Sequence, residues 1–266
     1  MDDKFLGDDF PFAENVLNGA DALVFGASKG IGRSCALMLA RSGAKVTVCS
    51  RSKQNLELLI EQMHGSGHDY LVIDLENLDD LRMELKKIRK YNILINNSGG
   101  PPSSPLIENE VEDFLGPFTR HLHASHEITR TLIPGMEERG MGRIINIIST
   151  SVKEPIEGIG LSNTLRGAMA SWSKSMSMEL PPCITINNIL PGWTDTERLN
   201  QLAETKSEKS GLSVDEIFRQ WEELTPIKRL IDPMETAAAV LWLCLPSSES
   251  VRGVSLAVDG GRMRSI

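Results

Sequence analysis

Cysteine is scarce in this sequence, with four among 266 residues. Cys35, Cys49, Cys183 and Cys244 lie far apart, and no two of them form a C-x-x-C pair. Their spacing therefore argues against a zinc motif and against a thioredoxin-like dithiol, and we predict no metal site. Free cysteine behaves as a small buried apolar side chain, so the four thiols predict a reducing compartment.

Long apolar runs and excess positive charge are also missing. The longest apolar stretch, residues 237–245, is much shorter than the roughly 20 residues that span a bilayer. The first residues lack the basic and apolar regions of a signal peptide. A net charge of −8 argues against a general nucleic-acid binder. We expect a cytoplasmic protein with neither a membrane nor a nucleic-acid partner.

Short β-rich runs alternate with segments of helical periodicity along most of the chain. This alternation predicts βαβ crossovers and a parallel sheet covered on both faces. We therefore predict a single Rossmann-type, doubly wound α/β domain over residues 1–266, with a seven-stranded sheet. The predicted strands are 22–25, 45–49, 70–73, 93–95, 143–148, 184–190 and 254–258. The predicted helices are 31–42, 53–63, 78–90, 113–139, 162–180 and 233–245.

Two segments lie outside the alternation. Residues 1–20 are acidic and predict an arm before the first strand. Residues 196–231, which we call the flap, are polar and charged. Within the flap, Ser213 and Glu216 have the spacing of a capping box ahead of an apolar helical face. Insertions at such positions often cover a substrate site. A structural excursion or an oligomer contact is the alternative.

A glycine-rich loop directly follows the first predicted strand and opens a helix. It reads G-A-S-K-G-I-G over residues 26–32. The glycines allow a tight turn and the close approach of a pyrophosphate to the helix N-terminus. The loop therefore predicts a dinucleotide site. Its predicted cofactor-binding residues are Gly26, Ser28, Lys29, Gly30, Ile31 and Gly32.

The G-x-x-x-G-x-G spacing of this loop is typical of the short-chain dehydrogenase/reductase family. Further marks of that family follow in order: N-N-S-G at 96–99, P-G-W-T-D-T at 191–196 and V-D-G-G at 258–261. The chain resembles the family from about residue 22 to residue 261, most closely its 3-oxoacyl-acyl-carrier-protein reductase-like branch. One departure is Phe25, where the family often has threonine. The resemblance implies an oxidoreductase with a nicotinamide cofactor.

The end of the second strand bears on the choice of cofactor. An acidic residue there would bond the ribose 2′-hydroxyl of NAD and repel a 2′-phosphate. This strand instead ends in Ser50 and Arg51, and Lys29 can add a second positive charge. Arginine binds phosphate through a fork of donors, so we expect NADP rather than NAD. Alternatively, Arg51 and Lys29 are solvated surface cations.

The resemblance also implies further cofactor contacts at the ends of later strands. Asp74 and Leu75 occupy the positions that contact adenine in the family. Those that line the adenosine ribose are Asn97, Ser98 and Gly99. Those beside the nicotinamide are Pro191, Gly192, Trp193, Thr194 and Thr196.

The catalytic pattern of the family is only partly present. The family uses a serine, a tyrosine, a lysine four residues after the tyrosine, and an asparagine. Ser149 matches the serine at the end of the fifth strand, where ligands bind in open α/β sheets. Ser162 stands at the tyrosine position, Arg166 at the lysine position and His121 at the asparagine position. The spacing keeps Ser162 and Arg166 on one helix face.

These replacements change the chemistry that the site can perform. A serine hydroxyl is a weak acid that needs a base, and arginine stays protonated. Arg166 can therefore bind ribose, as a further cofactor contact, or stabilise an oxyanion. His121 titrates near neutrality, so it or water is the predicted proton donor. Alternatively, His121 only packs or forms hydrogen bonds. The catalytic candidates are Ser149, Ser162, Arg166 and His121.

We therefore expect an NADP-dependent oxidoreductase acting on a carbonyl or alcohol in a small molecule. The incomplete catalytic set leaves two alternatives, a non-catalytic NADP-binding sensor or partner subunit and a non-redox isomerase or lyase. The resemblance implies that helices 113–139 and 162–180 pair in a homodimer or homotetramer. Candidate contacts are Met169, Trp172, Met176 and Met178, although core packing explains them equally well.

Overall fold

A parallel sheet organises the chain, as the alternating pattern predicts. The computed structural model describes residues 6, 10–13 and 15–265, which contain seven strands in the order β3-β2-β1-β4-β5-β6-β7. The strands are β1 Asp21–Phe25, β2 Lys45–Ser50, β3 Asp69–Val72, β4 Ile93–Asn96, β5 Gly142–Ile147, β6 Ile184–Pro191 and β7 Ser255–Val258. Every neighbouring pair is parallel, so the predicted fold class is confirmed. The predicted arm, residues 1–20, lies partly outside the described residues.

The central strands are apolar because both of their faces are covered. In β1, Ala22 and Val24 face one hydrophobic core, and Leu23 and Phe25 face the other. This alternation follows from the two-residue period of a strand. All five residues of β1 are buried. A continuous apolar run is the pattern expected of a strand inside a parallel sheet.

The helices cover both faces of the sheet. They are α1 Gly30–Arg41, α2 Lys53–Gln62, α3 Leu78–Leu85, α4 Val111–Phe118, α5 Ala124–Glu138, α6 Gly160–Glu179, α7 Glu197–Ser210, α8 Val214–Leu224 and α9 Pro233–Cys244. Helices α1, α2 and α9 pack on one core. Helices α3, α5 and α6 pack on the other. The two-sided arrangement is that of a doubly wound fold.

Two predicted helices differ from the observed ones. The helix predicted over 78–90 ends at Leu85. Beyond it, Arg89 turns toward the sheet, where its Nε lies 3.2 Å from Asp21 Oδ1. The helix predicted over 113–139 is divided by a π-helical turn, Thr119–His123. Pro117, which cannot donate a backbone hydrogen bond, lies shortly before this turn.

The flap contains two helices, α7 and α8, of which the capping-box pattern predicts only the second. Ser213 N–H donates to Glu216 Oε2 over 2.8 Å, so that capping box is confirmed. Helix α7 ends at Gly211, whose φ of +74° is a left-handed conformation that favours glycine. The flap has its own small apolar cluster, which includes the buried side chains of Ile217 and Trp221.

All four thiols are free, and three of them are buried as predicted. Cys35, Cys49 and Cys244 are buried, and Cys183 is half-buried. Burial raises the pKa of Cys35 and Cys49 far above its usual range and that of Cys244 to about 12. The three buried thiols therefore stay protonated at neutral pH. Among the described residues, no helix combines the length and apolar character needed to cross a membrane.

Candidate active site

The predicted site residues converge on one edge of the sheet. Strands β1 and β4 are neighbours although they are distant in sequence, which makes the gap between them the topological switch point. Ligands of open α/β sheets bind at the carboxyl ends of the strands at such a point. The predicted residues follow those ends, at 26–32 after β1, 50–51 at β2, 74–75 after β3, 97–99 after β4, 149 after β5 and 191–196 at and after β6.

The glycine loop forms a tight cradle after β1. Gly26 has a φ of +61°, and a Cβ placed there would lie 2.5 Å from the carbonyl oxygen of Asn97. A Cβ on Gly32 would collide with the carbonyl oxygen of Gly26. The side chain of Asn97, a predicted ribose contact, donates to Gly26 O over 3.1 Å. Asn97 therefore also holds the loop in shape.

The N-terminus of α1 is left open for an anion. Lys29 is its N-cap residue and provides no side-chain cap. The first turn, which includes Ile31, has no acidic residue. The first N–H groups and the positive end of the helix dipole are therefore not neutralised by a capping side chain. This arrangement fits the pyrophosphate of a dinucleotide.

Arg51 and Asp74 mark the adenosine end of the predicted site. Arg51 is largely exposed, and its Nη1 lies 3.8 Å from Asp74 Oδ2. Ser50 Oγ accepts from the N–H of Ser52 over 3.2 Å, which shapes the turn that carries Arg51. An open cavity of about 580 Å³ is bordered by Asp74 and Asn77, and none of the four catalytic candidates lines it. Because Arg51 is solvated, its guanidinium can turn toward a phosphate at little cost.

The flap begins against the glycine loop. Lys29 Nζ lies 2.6 Å from Glu197 Oε2, and both side chains are exposed. A Cβ on Gly30 would lie 3.3 Å from Thr196 Cγ2. Thr196 also caps α7, because its Oγ1 accepts from the N–H of Leu199. These contacts place the start of the flap at the predicted pyrophosphate cradle.

Trp193 connects the nicotinamide side of the site with the flap. Its ring stacks on that of Trp221, with centroids 5.8 Å apart and planes inclined by 17°. The guanidinium of Arg262 lies 5.1 Å from the centroid of the Trp193 ring and donates to Thr150 Oγ1 over 2.7 Å. This chain of contacts joins the flap to the loop that follows Ser149.

The other residues of that stretch serve the backbone of the site. Pro191 ends β6. A Cβ on Gly192 would lie 2.7 Å from Asp259 Cα, so the V-D-G-G turn packs directly against it. Thr194 is buried, and its Oγ1 donates to Gly192 O over 3.2 Å.

Ser149 keeps its hydroxyl hydrogen available. Its Oγ accepts from the N–H of Ser151 over 3.0 Å, and the residue is half-buried. A hydroxyl that accepts one hydrogen bond can still donate another. Ser162 is half-buried on α6, one turn before Arg166, and its hydroxyl has no partner among the described residues. Both hydroxyls can therefore bond to a ligand.

His121 and Arg166 are buried and meet each other. Arg166 Nη1 donates to the carbonyl of Ile147 over 3.0 Å and lies 3.4 Å from His121 Nδ1. His121 Nε2 lies 3.0 Å from the carbonyl of Gly99, so Nε2 carries the ring proton. Nδ1 is then an acceptor, and Ser98 Oγ lies 2.7 Å from it. Both ring nitrogens of His121 are thus engaged within the protein.

The surroundings keep the His121 ring neutral. Burial, then the charges of Arg166 and Arg120, hold the pKa of His121 well below its usual range. Burial, with the charges of Arg120 and Arg198, lowers the pKa of Arg166 to about 10. At neutral pH, Arg166 is therefore charged and His121 is not. A neutral ring with both nitrogens bonded is poorly suited to give a proton to a substrate.

Sequence reasoning missed several residues at this site. They are Arg120, Arg198, Trp221 in its stacking role, and Arg262. Arg120 pairs with Glu76, and its position next to His121 is the signal in the sequence that could have found it. Arg198 and Arg262 lie in stretches without a motif, so only the fold reveals them.

Comparison with known proteins agrees with the family resemblance that the sequence motifs indicate. A family model described as enoyl-(acyl carrier protein) reductase matches residues 26–262. Among curated relatives, the NADPH-dependent reductase BacG of Bacillus subtilis is 30% identical over 254 residues, 92% of this chain and 98% of that protein. The match of the family model covers the glycine loop, the catalytic candidates and the V-D-G-G turn together.

Solved structures share the fold over nearly the whole chain. The NADPH-dependent reductase YwfH, involved in bacilysin biosynthesis, has a TM-score of 0.86 at 28% identity, covering 93% of this chain and 99% of that one. Actinorhodin polyketide ketoreductase with NADPH has a TM-score of 0.87 at 27% identity, covering 95% of this chain and 100% of that one.

Proposed function

The chain belongs to the short-chain dehydrogenase/reductase family, and on that premise we propose that it is an NADP-dependent oxidoreductase that interconverts a carbonyl and an alcohol in a small molecule. The observation that carries the proposal is the open N-terminus of α1 above the glycine cradle, at the same sheet edge as Ser149 and Arg166. Relatives that are NADPH-dependent reductases support both the activity and the cofactor.

The cofactor is held by groups at the ends of four strands. The N–H groups at the start of α1 would bind the pyrophosphate, and Arg51, with Lys29, would bind the 2′-phosphate. Asp74 and Asn97 would border the adenosine. When bound, NADPH supplies the hydride that the carbonyl carbon receives. The protein contributes position and electrostatics.

Ser149 and Arg166 stabilise the substrate oxygen. The Ser149 hydroxyl donates to the carbonyl oxygen, because its hydrogen remains free while Oγ accepts from Ser151 N–H. Arg166 brings a buried positive charge to the place where negative charge develops. Ser162, one turn away, lines the same face of α6 and adds a second hydroxyl.

His121 acts through its neighbours in this proposal. It accepts at Nδ1, beside Ser98 and Arg166, and donates at Nε2 to Gly99. The ring therefore positions Arg166 and the loop after β4. Water then supplies the proton to the substrate oxygen, which was the other option left by the sequence.

The loss of the tyrosine and lysine favours a second candidate, a protein that binds NADP without catalysis. The relatives do not favour that role or a non-redox reaction.

Removal of one oxyanion donor typically costs about 100- to 1,000-fold in kcat. We expect a loss of that order in Ser149→Ala. Ser175→Ala, on the outer face of α6, is the control.

The loss of activity in Ser149→Ala is measured as the steady-state rate of NADPH oxidation with a broad panel of carbonyl compounds. Purified protein that binds NADPH but oxidises none with any carbonyl would support the non-catalytic role. Equal turnover by wild type and Ser149→Ala would remove that serine from the mechanism.

We also propose the remaining organisation of the molecule. The whole chain would act as one cytoplasmic domain, with the flap over the substrate. Helices α4 to α6 would pair in a homodimer or homotetramer. Met178 on α6 is exposed and available for such a contact, whereas Met169 is buried in the core.

A further inference from the structure

Two arginines from separate elements meet at the loop after β4, and the charge of a third, Arg120, acts on both of them. Arg120 lies in the π-helical turn, Arg166 on α6 and Arg198 on α7 of the flap. A Cβ placed on Gly100 would lie 3.7 Å from Arg166 Nη2 and 3.9 Å from Arg198 Nη2. The two guanidinium groups therefore flank the same point of the backbone.

This concentration of positive charge is incompletely balanced. Arg120 pairs with Glu76. Within the part of the chain that the structure describes, Arg166 and Arg198 contact only neutral acceptors, namely the carbonyls of Ile147 and Pro101 and the neutral ring of His121. Arg166 is 8% exposed, and its Nε is buried without a partner. A buried charge without a counter-ion is costly, so an anion at this point would be strongly favoured.

Arg166 lies against the end of β5, whereas Arg198 directly follows the flap residues that meet the phosphate cradle. Arg166 bonds to Ile147, two residues before Ser149, and follows Ser162 by one helical turn. Arg198 approaches from the flap and donates to Pro101 O over 2.6 Å. The anion would therefore lie near the groups that handle the substrate oxygen, under the start of the flap.

We infer that the substrate is an oxo acid whose carboxylate is bound by Arg166 and Arg198 beside Gly100. This inference rests on the proposed oxidoreductase function and adds the substrate class to it. Arginine suits the role because its planar fork matches a carboxylate. Since Arg198 belongs to the flap, a bound carboxylate would also hold α7 against the loop after β4.

The test compares oxo acids with their uncharged methyl esters. Pyruvate, acetoacetate and levulinate place the carbonyl at increasing distances from the carboxylate. We expect the wild type with NADPH to prefer at least one acid over its ester by about tenfold or more in kcat/KM, as a charged hydrogen bond implies. Arg198→Gln should bring that ratio close to one, and Arg198→Lys should restore part of it. Arg219→Gln, an exposed flap arginine, should keep the wild-type ratio.

A binding measurement separates failure of this inference from failure of the proposed function. The thermal midpoint of NADP⁺-saturated protein is measured with each acid, each ester and sodium chloride at equal ionic strength. Stabilisation by an acid in the wild type and in Arg219→Gln, but not in Arg198→Gln, supports the carboxylate site. If that stabilisation occurs without any turnover, the oxidoreductase proposal fails and the anion site stands.

Two results would overturn the inference. If esters are turned over as readily as acids, the proposed oxidoreductase activity stands and the proposed carboxylate site is ruled out. Stabilisation by the acids of protein without nucleotide, measured in parallel, but not of NADP⁺-saturated protein would assign the arginines to the phosphates of the cofactor.

Discussion

At the scale of single residues, we expect Arg51 to determine the choice of cofactor. It is the exposed cation at the end of β2, 3.8 Å from Asp74. Arg51→Glu replaces attraction for a 2′-phosphate with repulsion. A hydrogen bond to a charged group contributes about 1.5–3 kcal/mol, so the Kd for NADPH should rise about tenfold or more.

Fluorescence titration with NADPH and with NADH measures this change. The Kd for NADH should stay the same or fall. Lys87→Glu, which reverses a surface cation paired with Glu84, is the control. Equal or tighter binding of NADPH by Arg51→Glu would assign the 2′-phosphate to other residues.

His121 couples the site to the pH dependence of stability. Its pKa in the folded protein lies well below 6.5, so below that pH the unfolded chain binds a proton that the folded chain does not. Stability is therefore lost as the pH falls through this range, by up to about 1.4 kcal/mol for each pH unit. In His121→Gln, the free energy of unfolding should fall by about 1 kcal/mol less between pH of about 7.5 and about 5.5.

Urea unfolding at the two pH values gives this difference. His123→Gln changes an exposed ring in the same turn and serves as the control. If His121→Gln loses stability as steeply as the wild type, the ring is protonated inside the folded protein.

At the scale of elements, the flap is held by a small cluster of its own. Trp221 is 7% exposed and stacks on Trp193, while its neighbours Leu199 and Ile217 are buried with it. Replacing a buried tryptophan by alanine costs about 3–5 kcal/mol. Because the cluster is separate from the two main cores, we expect Trp221→Ala to loosen the flap while the rest of the fold remains.

Limited proteolysis should show faster cleavage within residues 197–224 of Trp221→Ala. The KM for the carbonyl substrate should rise if, as we propose, the flap covers the substrate. Trp242→Ala, on α9, should leave cleavage of the flap at the wild-type rate. If the thermal midpoint of Trp221→Ala falls as far as that of a core variant, the flap is part of the main folding unit.

Elements differ in how well the sequence predicts them. Strands such as β1 are buried on both faces, so their apolar runs are unbroken and easily identified. Helix α8 has a capping box and an apolar stripe. Helix α7 is mostly polar, and tertiary contacts at Thr196 and Leu199 define it. The π-helical turn also escapes prediction, because the flanking helices continue the same periodicity through it.

At the scale of the whole molecule, α4 leaves an apolar surface uncovered. Val111 is 73% exposed and Leu115 is 62% exposed. With Phe114, Phe118 and His123 they line a groove of about 450 Å³. Exposed apolar patches of this kind mark interfaces between proteins. We expect the wild type to form a dimer or tetramer and Leu115→Glu to shift it to a smaller species.

Light scattering after size-exclusion chromatography measures the mass of the assembly in solution. Leu58→Glu, at an exposed leucine on α2, should keep the wild-type assembly. A wild type that stays monomeric at micromolar concentration would contradict the proposed assembly.

The fold brings the residues that the sequence predicts to bind the cofactor to one edge of the sheet. Apart from Arg166 on α6, they lie at or after strand ends, and parallel strands end at the same edge. Arg198 could not be predicted in this way, since its approach to Gly100 depends on how the flap returns to the sheet. The bonding of both His121 nitrogens likewise depends on the loop after β4, whose path no spacing reveals.

The contact between Lys29 and Glu197 has a consequence for the sequence of events in turnover. It brings the start of the flap to the edge of the pyrophosphate cradle, where Thr196 also meets Gly30. A substrate that arrived first would hold the flap down across the route by which the dinucleotide enters. Turnover should therefore follow a compulsory order, in which the nicotinamide nucleotide is the first to arrive and the last to leave.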